Sequence, residues 1–313
     1  MIKKTLYFGN PAYLSLSDGQ MVIRIPEVEN ADVPNLLKKE TTVTRPIEDI
    51  GVVVIDNRRI TLTSGLMDAL LQNNVAVIMC DERRMPSGLF LPLEGHTLQS
   101  ERFRSQLEAS LPLRKQLWQQ TVSAKIANQH ANMAYARPDL QEKDFRCLKV
   151  WAGEVKSGDS DNLEGRAAAF YWKNLFASLP DFVRSREGEM PNALLNYGYA
   201  ILRAIIARSL VGSGLLPTFG IHHHNRYNAY CLADDVMEPY RPYVDRLVVD
   251  MLPELGTASE LTREVKAEML AIPTLDVTIS DHQRPLMIAA SETTSSLARC
   301  FAGEARRVAY PEM

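Results

Sequence analysis

The chain lacks the cysteine pairs that would mark a disulfide framework or a zinc site. Its four cysteines, Cys80, Cys147, Cys231 and Cys300, are scattered, with none at C-x-x-C spacing. That suits reduced thiols of a cytoplasmic protein and not an oxidised, cross-linked one. Long apolar runs are missing too: no stretch approaches the ~18 uncharged residues of a membrane span. The start, Met1-Ile2-Lys3-Lys4-Thr5-Leu6-Tyr7, has no continuous apolar segment of the secretory kind. The expectation is a soluble cytoplasmic protein with no membrane partner. Nor is there a surplus of positive charge. Lys and Arg number 35 against 38 Asp and Glu, a formal net charge of -3 at pH 7, so any binding of nucleic acid must rest on local patches. No internal repeat or low-complexity tract appears.

What is present changes period part-way along. At 313 residues the chain exceeds one average domain of roughly 100 to 200 residues, and its first 93 residues read as short β-branched and aromatic segments between turn signals. Strands are expected at Tyr13 to Leu16, Met21 to Ile25, Thr41 to Val43, Gly51 to Ile55, Val75 to Met79 and Leu89 to Leu91. Asp18-Gly19 between the first two is a hairpin signal. One helix, Ser64 to Gln72, interrupts them, with Thr63 or Ser64 as N-cap and Asn73-Asn74 as its stop. The prediction for 1–93 is a small β-sandwich with one helix against it.

Residues 94–313 carry a 3.6-residue period, predicting an all-α domain and an α+β protein overall. Boundaries come from Pro112 as an N1 proline, from Thr257-x-x-Glu260 and Ser280-x-x-Gln283 as capping boxes, and from Gly212-x-Gly214 as a stop. Asn192 to Val211 is apolar on nearly every side and reads as the central buried helix.

Metal-capable side chains gather at one place. His222, His223 and His224 are followed closely by Asp234, Asp235 and Glu238, and on a helix either aspartate shares a face with Glu238. Pro239 should bend that helix and leave the carbonyl of Asp235 unpaired. A third candidate is Glu164, in the first turn of the helix opened by Asp161-Asn162-Leu163 and continued along an inward stripe through Ala168, Tyr171 and Leu175. An inward acid needs a partner, and a divalent ion shared with the histidine loop and the bent helix would supply it.

Gly220-Ile221-His222-His223-His224-Asn225 and Asp234-Asp235-Val236-Met237-Glu238-Pro239-Tyr240-Arg241-Pro242-Tyr243-Val244-Asp245 resemble the Cas-one family, the CRISPR-associated integrases that insert new spacers. Leu163-Glu164-Gly165-Arg166-Ala167-Ala168, Lys125-Ile126-Ala127-Asn128-Gln129 and Asn192 to Tyr199 extend the likeness over essentially the whole chain. Members from systems with the Cas-nine effector are the most similar. The resemblance implies a metal triad of Glu164, His223 and Glu238, with Asp235 as rival acid or as a supporting group beside the ion, and with His222 and His224 blurring the register of the histidine. Two carboxylates and one imidazole leave about half an octahedral shell open, which suits Mg2+ or Mn2+.

The resemblance further implies joining of a fragment's 3′-hydroxyl to the CRISPR repeat by transesterification, a homodimer, and the Cas-two protein bridging a four-plus-two complex. It also brings in Cas-nine and associated adaptation proteins, with the β-rich domain serving dimerisation and partner contacts. Between Glu101 and Arg208, 16 Lys and Arg face 12 Asp and Glu, and Lys125, Arg146, Lys149, Arg166, Arg184, Arg186 and Arg203 are candidate phosphate contacts, Arg166 first among them. Two other readings stay open: a metal-dependent nuclease that hydrolyses branched or single-stranded DNA, and a non-catalytic DNA-binding scaffold.

Overall fold

The computed structural model describes residues 3–25, 42–176, 178–179, 181–255 and 261–313. The chain divides into two compact units, Met1–Gly95 and His96–Met313.

Among its described residues the first unit holds two four-stranded sheets. Strands β1 (Lys4–Phe8), β5 (Ile50–Ile55) and β7 (Ala76–Cys80) run parallel in the order β1-β5-β7, and β8 (Pro86–Phe90) joins β7 antiparallel. The second sheet has the order β4-β3-β2-β6, from β4 (Thr42–Pro46), β3 (Gln20–Arg24), β2 (Ala12–Ser17) and β6 (Ile60–Leu62). β5 reads Ile-Gly-Val-Val-Val-Ile and is buried at every position, as a central parallel strand covered on both faces must be. Between β2 and β3, Asp18 and Gly19 take φ of 50° and 69°, the two left-handed positions that a two-residue hairpin turn demands. Helix α1 (Ser64–Gln72) starts where the Thr63 side chain accepts a bond from the Leu66 N–H and stops at Asn73. Its Leu66 and Leu70, one turn apart, enter a core shared with Leu14 and Met21 of one sheet and Val53 and Val77 of the other. β1 and β6, which the sequence did not mark, lie at sheet edges, where one side of a strand has no neighbour to select apolar residues.

The second unit is built on helices α2 (Gln99–Leu107), α3 (Leu111–Ala136), α4 (Glu142–Glu154), α5 (Leu163–Leu175), α6 (Asn192–Gly212), α7 (Cys231–Met237), α8 (Arg241–Leu255), α9 (Arg263–Met269) and α10 (Leu286–Phe301). It is not purely helical. Asp276–Ile279 (β9) and His282–Pro285 (β10) form an antiparallel hairpin, and the expected capping box at Ser280 is its turn, with Ser280 and Asp281 at φ of 50° and 63°. A four-residue strand is too short for its period of 2 to outweigh a Ser-x-x-Gln signature. The Thr257-x-x-Glu260 box lies outside the described residues. Pro112 sits in the first turn of α3, one place later than expected, behind Ser110, which caps Leu113 N–H.

α6 runs through the core of this unit. Among the described residues it is the one helix long and apolar enough to cross a membrane, and most of it is buried within the protein. Gly198 lets the helices meet closely: a Cβ there would lie 2.3 Å from Met269 Cε and 2.6 Å from Val244 Cγ1. α6 ends at Gly212, with Gly214 at φ of 71°, the left-handed stop that glycine permits.

Candidate functional site

Two acids are delivered by two helix starts. Asp159 accepts the N–H groups of Leu163 at 2.8 Å and Glu164 at 3.0 Å, so this aspartate, rather than Asn162, satisfies the first turn of α5 and fixes Glu164 against α3. Glu238 follows α7 in a 3₁₀ turn, Glu238–Tyr240, that leads into α8. The expected bend at Pro239 is there, but the carbonyl of Asp235 is not left unpaired, because the Glu238 N–H tightens to it in the 3₁₀ manner. The Pro239 carbonyl in turn accepts from Asn128 Nδ2 at 2.8 Å.

Lys125 lies between the two acids. Its Nζ is 2.6 Å from Glu164 Oε1 and 2.5 Å from Glu238 Oε2, and Arg241 Nη2 reaches Glu238 Oε1 at 3.0 Å. Burial works against charge on Lys125, yet Glu238 and Glu164 more than offset it and hold the ammonium above its usual pKa. Burial likewise opposes ionisation of Glu238, and Arg241 and Lys125 overcome it and keep the carboxyl below its usual value. Two cationic groups, Lys125 and Arg241, thus face two carboxyl groups, Glu164 and Glu238. The contact with Glu238 Oε2 is a charge contact outside hydrogen-bond geometry, so that buried oxygen keeps unused acceptor capacity. Lys125 is only 7% exposed, and it is not the open phosphate contact expected from the sequence.

The three histidines have three different environments. His222 stacks on Trp118 at 4.3 Å between centroids and 4° between planes, and burial pushes its pKa down. His224 is exposed, its Nδ1 at the carbonyl of His222. His223 places Nδ1 2.5 Å from Asp235 Oδ1. That bond, ahead of opposing burial, holds its imidazole above the usual value, with Glu238 and Glu164 adding to the effect. Asp235, fully buried, also accepts the backbone N–H groups of His222 at 2.9 Å and His223 at 3.2 Å. It thus holds the loop and the inner nitrogen of His223, and Lys125 bridges Glu164 and Glu238 without it. With Nδ1 engaged as a donor, Nε2 carries the lone pair.

Among the described residues, no three His, Cys, Asp or Glu side chains stand close enough as placed to close round an ion. The fit is nevertheless good once the ammonium withdraws. Two carboxylates that already share one cationic centre, Glu164 half-buried and Glu238 buried with unused acceptor capacity, plus an imidazole nitrogen held in its acceptor tautomer, form the oxygen and nitrogen donor set of an Mg2+ or Mn2+ site.

Beside His223 opens a cleft of about 560 Å³ that gathers Arg184, Arg186, Arg203 and Arg241. Arg184 lies against the Trp172 and Tyr199 rings and is anchored by Asn192 and Asn196. Arg203 is bonded to Asp234 at 2.6 Å, which Asn228 also holds. Asp234 is therefore spoken for by the cleft wall, and Glu238 alone of the bent segment's acids reaches Lys125. Arg166 sits over the Trp151 ring at 4.9 Å, outside the residues that line this cleft. Arg146 and Lys149 are exposed on α4 and also stand apart from it.

The sequence pattern of the family described as CRISPR associated protein Cas1 matches residues 6–260. The chain belongs to this family. The CRISPR-associated endonuclease Cas1 of Neisseria meningitidis is 35% identical over 296 residues, which cover 95% of this chain and 91% of that protein. Among solved structures, a casposase bound to integration product superposes with a TM-score of 0.79 at 20% identity, covering 97% of this chain and 92% of that one. A Cas6-RT-Cas1–Cas2 complex superposes at 0.70 and 18% identity, covering 97% of this chain and 35% of that one. At such identities the likeness speaks for the fold. It agrees with the α+β architecture read from the sequence, and membership makes the chain one of the nucleases and integrases of CRISPR adaptation.

This Cas1 family member also holds residues that sequence reasoning passed over. Trp118 of α3 is the floor of the histidine loop, stacked on His222 and edge-on to His223. Asp245, 1% exposed, accepts from Tyr199 at 2.5 Å and Tyr171 at 3.0 Å, and burial pushes its carboxyl up to about 7 despite those bonds and the nearby Arg241 and Arg184. Arg241 spans the two groups, paired with Glu238 and 4.8 Å over the Tyr199 ring. A usable signal existed: the buried face of α3 carries Lys125, Asn128, Gln129 and Asn132, and polar residues on a core face require partners.

Proposed function

We propose that the chain is a metal-dependent DNA integrase of CRISPR adaptation, in which Glu164, His223 and Glu238 hold Mg2+ or Mn2+ and a DNA 3′-hydroxyl is joined to a CRISPR repeat by transesterification. The observation that carries this reading is the meeting of Glu164 and Glu238, from separate helices, on one cationic centre beside His223. When bound, the ion polarises the phosphodiester and helps to ionise the attacking hydroxyl. The chain's own groups do the rest. Asp235 fixes the tautomer and aim of His223, Arg241 keeps Glu238 ionised, and the arginine cleft neutralises backbone phosphates leading to the site. The 3′-oxygen attacks phosphorus, one phosphodiester forms as another breaks, and the leaving strand departs as a new 3′-hydroxyl. Because bonds of equal kind are exchanged, no nucleotide triphosphate is consumed.

Insertion on both strands needs two such sites at a fixed separation. A homodimer bridged by Cas2 in a four-plus-two assembly, with Cas9 and associated adaptation proteins as further partners, meets that need. The solved complex of a Cas1 fusion with Cas2 supports the Cas2 partnership. The endonuclease name of the Neisseria relative favours a second reading of the same site, in which water replaces the 3′-hydroxyl and DNA is only cleaved.

The test is strand transfer of a labelled duplex with free 3′ ends into a repeat-bearing supercoiled plasmid, with Mn2+ or Mg2+ and with Cas2. Joining is expected, with loss of joining and retained DNA binding in Glu164→Ala, His223→Ala and Glu238→Ala. Shortened DNA without joined product selects the hydrolytic reading. No metal-dependent product of either kind leaves the chain a DNA-binding scaffold and overturns both.

A further inference from the structure

We infer that Lys125 is a built-in counter-cation that occupies the centre of the site until DNA and metal arrive together, so that loading of the ion depends on bound phosphate. This rests on the metal reading above. The Lys125 ammonium reaches Glu164 at 2.6 Å and Glu238 at 2.5 Å, and the two acceptors belong to α5 and to the 3₁₀ turn before α8 while the lysine comes from α3. Three elements are thus tied at one point by one charge. The side chain of Lys125 is 9% exposed and that of Glu238 is 4% exposed, against 27% for Glu164, so at Glu238, the buried acid of the two, water is a poor replacement for the lysine.

Charge balance gives the consequence. Lys125 and Arg241 together neutralise Glu164 and Glu238, and the cluster is complete without an ion. A divalent cation that takes both carboxylates must displace the ammonium. The displaced lysine cannot leave, because its backbone is fixed in a buried stretch of α3, so the site then carries two unbalanced positive charges beside the arginine cleft. Phosphate oxygens restore the balance. The same lysine that disfavours metal in the empty protein therefore becomes, once displaced, a phosphate ligand at the reacting end of the DNA. This gives the sequence-derived expectation for Lys125 a conditional form: the contact with phosphate exists only after the ion has taken the acids. Metal affinity should rise when DNA is bound, on the order of tenfold or more, the size expected from a unit charge a few ångströms away in a partly screened site. By linkage, DNA affinity should rise with metal by the same factor.

The experiment is Mn2+ titration of the full chain by calorimetry, with and without a duplex carrying blocked 3′ ends, for the natural protein, Lys125→Met and Lys125→Arg, with melting temperatures in chelator alongside. The expected result has three parts. Lys125→Met binds Mn2+ about tenfold more tightly without DNA, gains little further affinity from DNA, and melts lower in chelator. Lys125→Arg keeps the dependence on DNA. In the natural protein, a crystal grown with Mn2+ places Lys125 Nζ beyond hydrogen-bond reach of both carboxylates, which decides the matter even if Lys125→Met fails to fold. Mn2+ held by Glu164 and Glu238 with Lys125 still bridging them overturns the inference, as does equal Mn2+ affinity in the natural protein and Lys125→Met. No Mn2+ binding by the natural protein under either condition instead overturns the metal reading itself.

Discussion

Replacing Asp235 by Asn tests whether the histidine loop is held as described. The carboxylate accepts three donors: His222 N–H on Oδ2, and His223 N–H and Nδ1–H on Oδ1. An asparagine has one acceptor oxygen and one NH2 group. With its oxygen toward His223, the amide nitrogen faces the His222 N–H, donor against donor, and the opposite orientation loses two bonds instead of one. The better orientation forfeits one hydrogen bond to a charged group and weakens two more. At about 1.5 to 3 kcal/mol for a bond to a charged acceptor, the expected loss is about 3 kcal/mol. In a unit of this size that is roughly 6 to 12 °C in melting temperature. The pKa of His223 should fall back toward its ordinary value. Metal affinity should drop by about 10- to 100-fold, the usual cost of removing the group that orients a ligating imidazole. Thermal unfolding in chelator reads the first effect and Mn2+ calorimetry the second. A variant that melts with the natural protein and binds Mn2+ equally well would show that Asp235 holds nothing.

Gly220→Ala puts a Cβ 2.3 Å from the His223 carbonyl and 2.7 Å from Asp235 Oδ2; the loop must shift, with stability down about 1 to 3 kcal/mol and strand transfer down about 100-fold while DNA binding persists, measured on one preparation. Gly198→Ala gains about 1 kcal/mol of helix propensity. It nonetheless destabilises on balance, because Val244 Cγ1 at 2.6 Å belongs to a β-branched side chain that cannot swing away; a rise in the urea midpoint would refute the packing argument. Asp245, with its folded pKa raised to about 7, binds its proton more tightly folded than unfolded. Its stabilisation is present in full below the unfolded pKa of about 3.9 and is lost as pH rises through about 7. Between pH 5 and 8 the loss amounts to about 3 kcal/mol, and Asp245→Asn should flatten the stability profile in that window by a comparable amount. Parallel profiles for the two proteins would sink the assignment.

Local chemistry made much of this fold legible. Asp18-Gly19 could only turn a chain tightly, and Thr63 before an apolar period-3.6 stretch could only open a helix, so the hairpin and α1 appear where the sequence places them. The β9–β10 hairpin was hidden because four residues give two alternations, less signal than one Ser-x-x-Gln. At the site, the acids and the imidazole were legible as residue types. Their connections were not: whether Asp235 faces Lys125 or the histidine loop depends on how α7 is rotated, and that rotation is set by tertiary packing of a segment buried at every position. The burial of Lys125 was hidden for the same reason. A lysine on a long helix is ordinarily solvated, and only the arrival of α5 and the 3₁₀ turn puts this one inside.

Asn128, one turn from Lys125 on α3, donates to the carbonyls of Pro239 and Pro311, and the second of these lies 183 residues further along the chain. On a ribosome adding about 5 to 20 residues per second, α3 waits roughly 10 to 35 s after Asn128 is made before that acceptor exists. Glu164 and Glu238 emerge within that interval, so for its last part the nascent protein carries the lysine and both acids without the second of the two bonds that hold Asn128. Birth order thus delays the finished site until Pro311 has been synthesised.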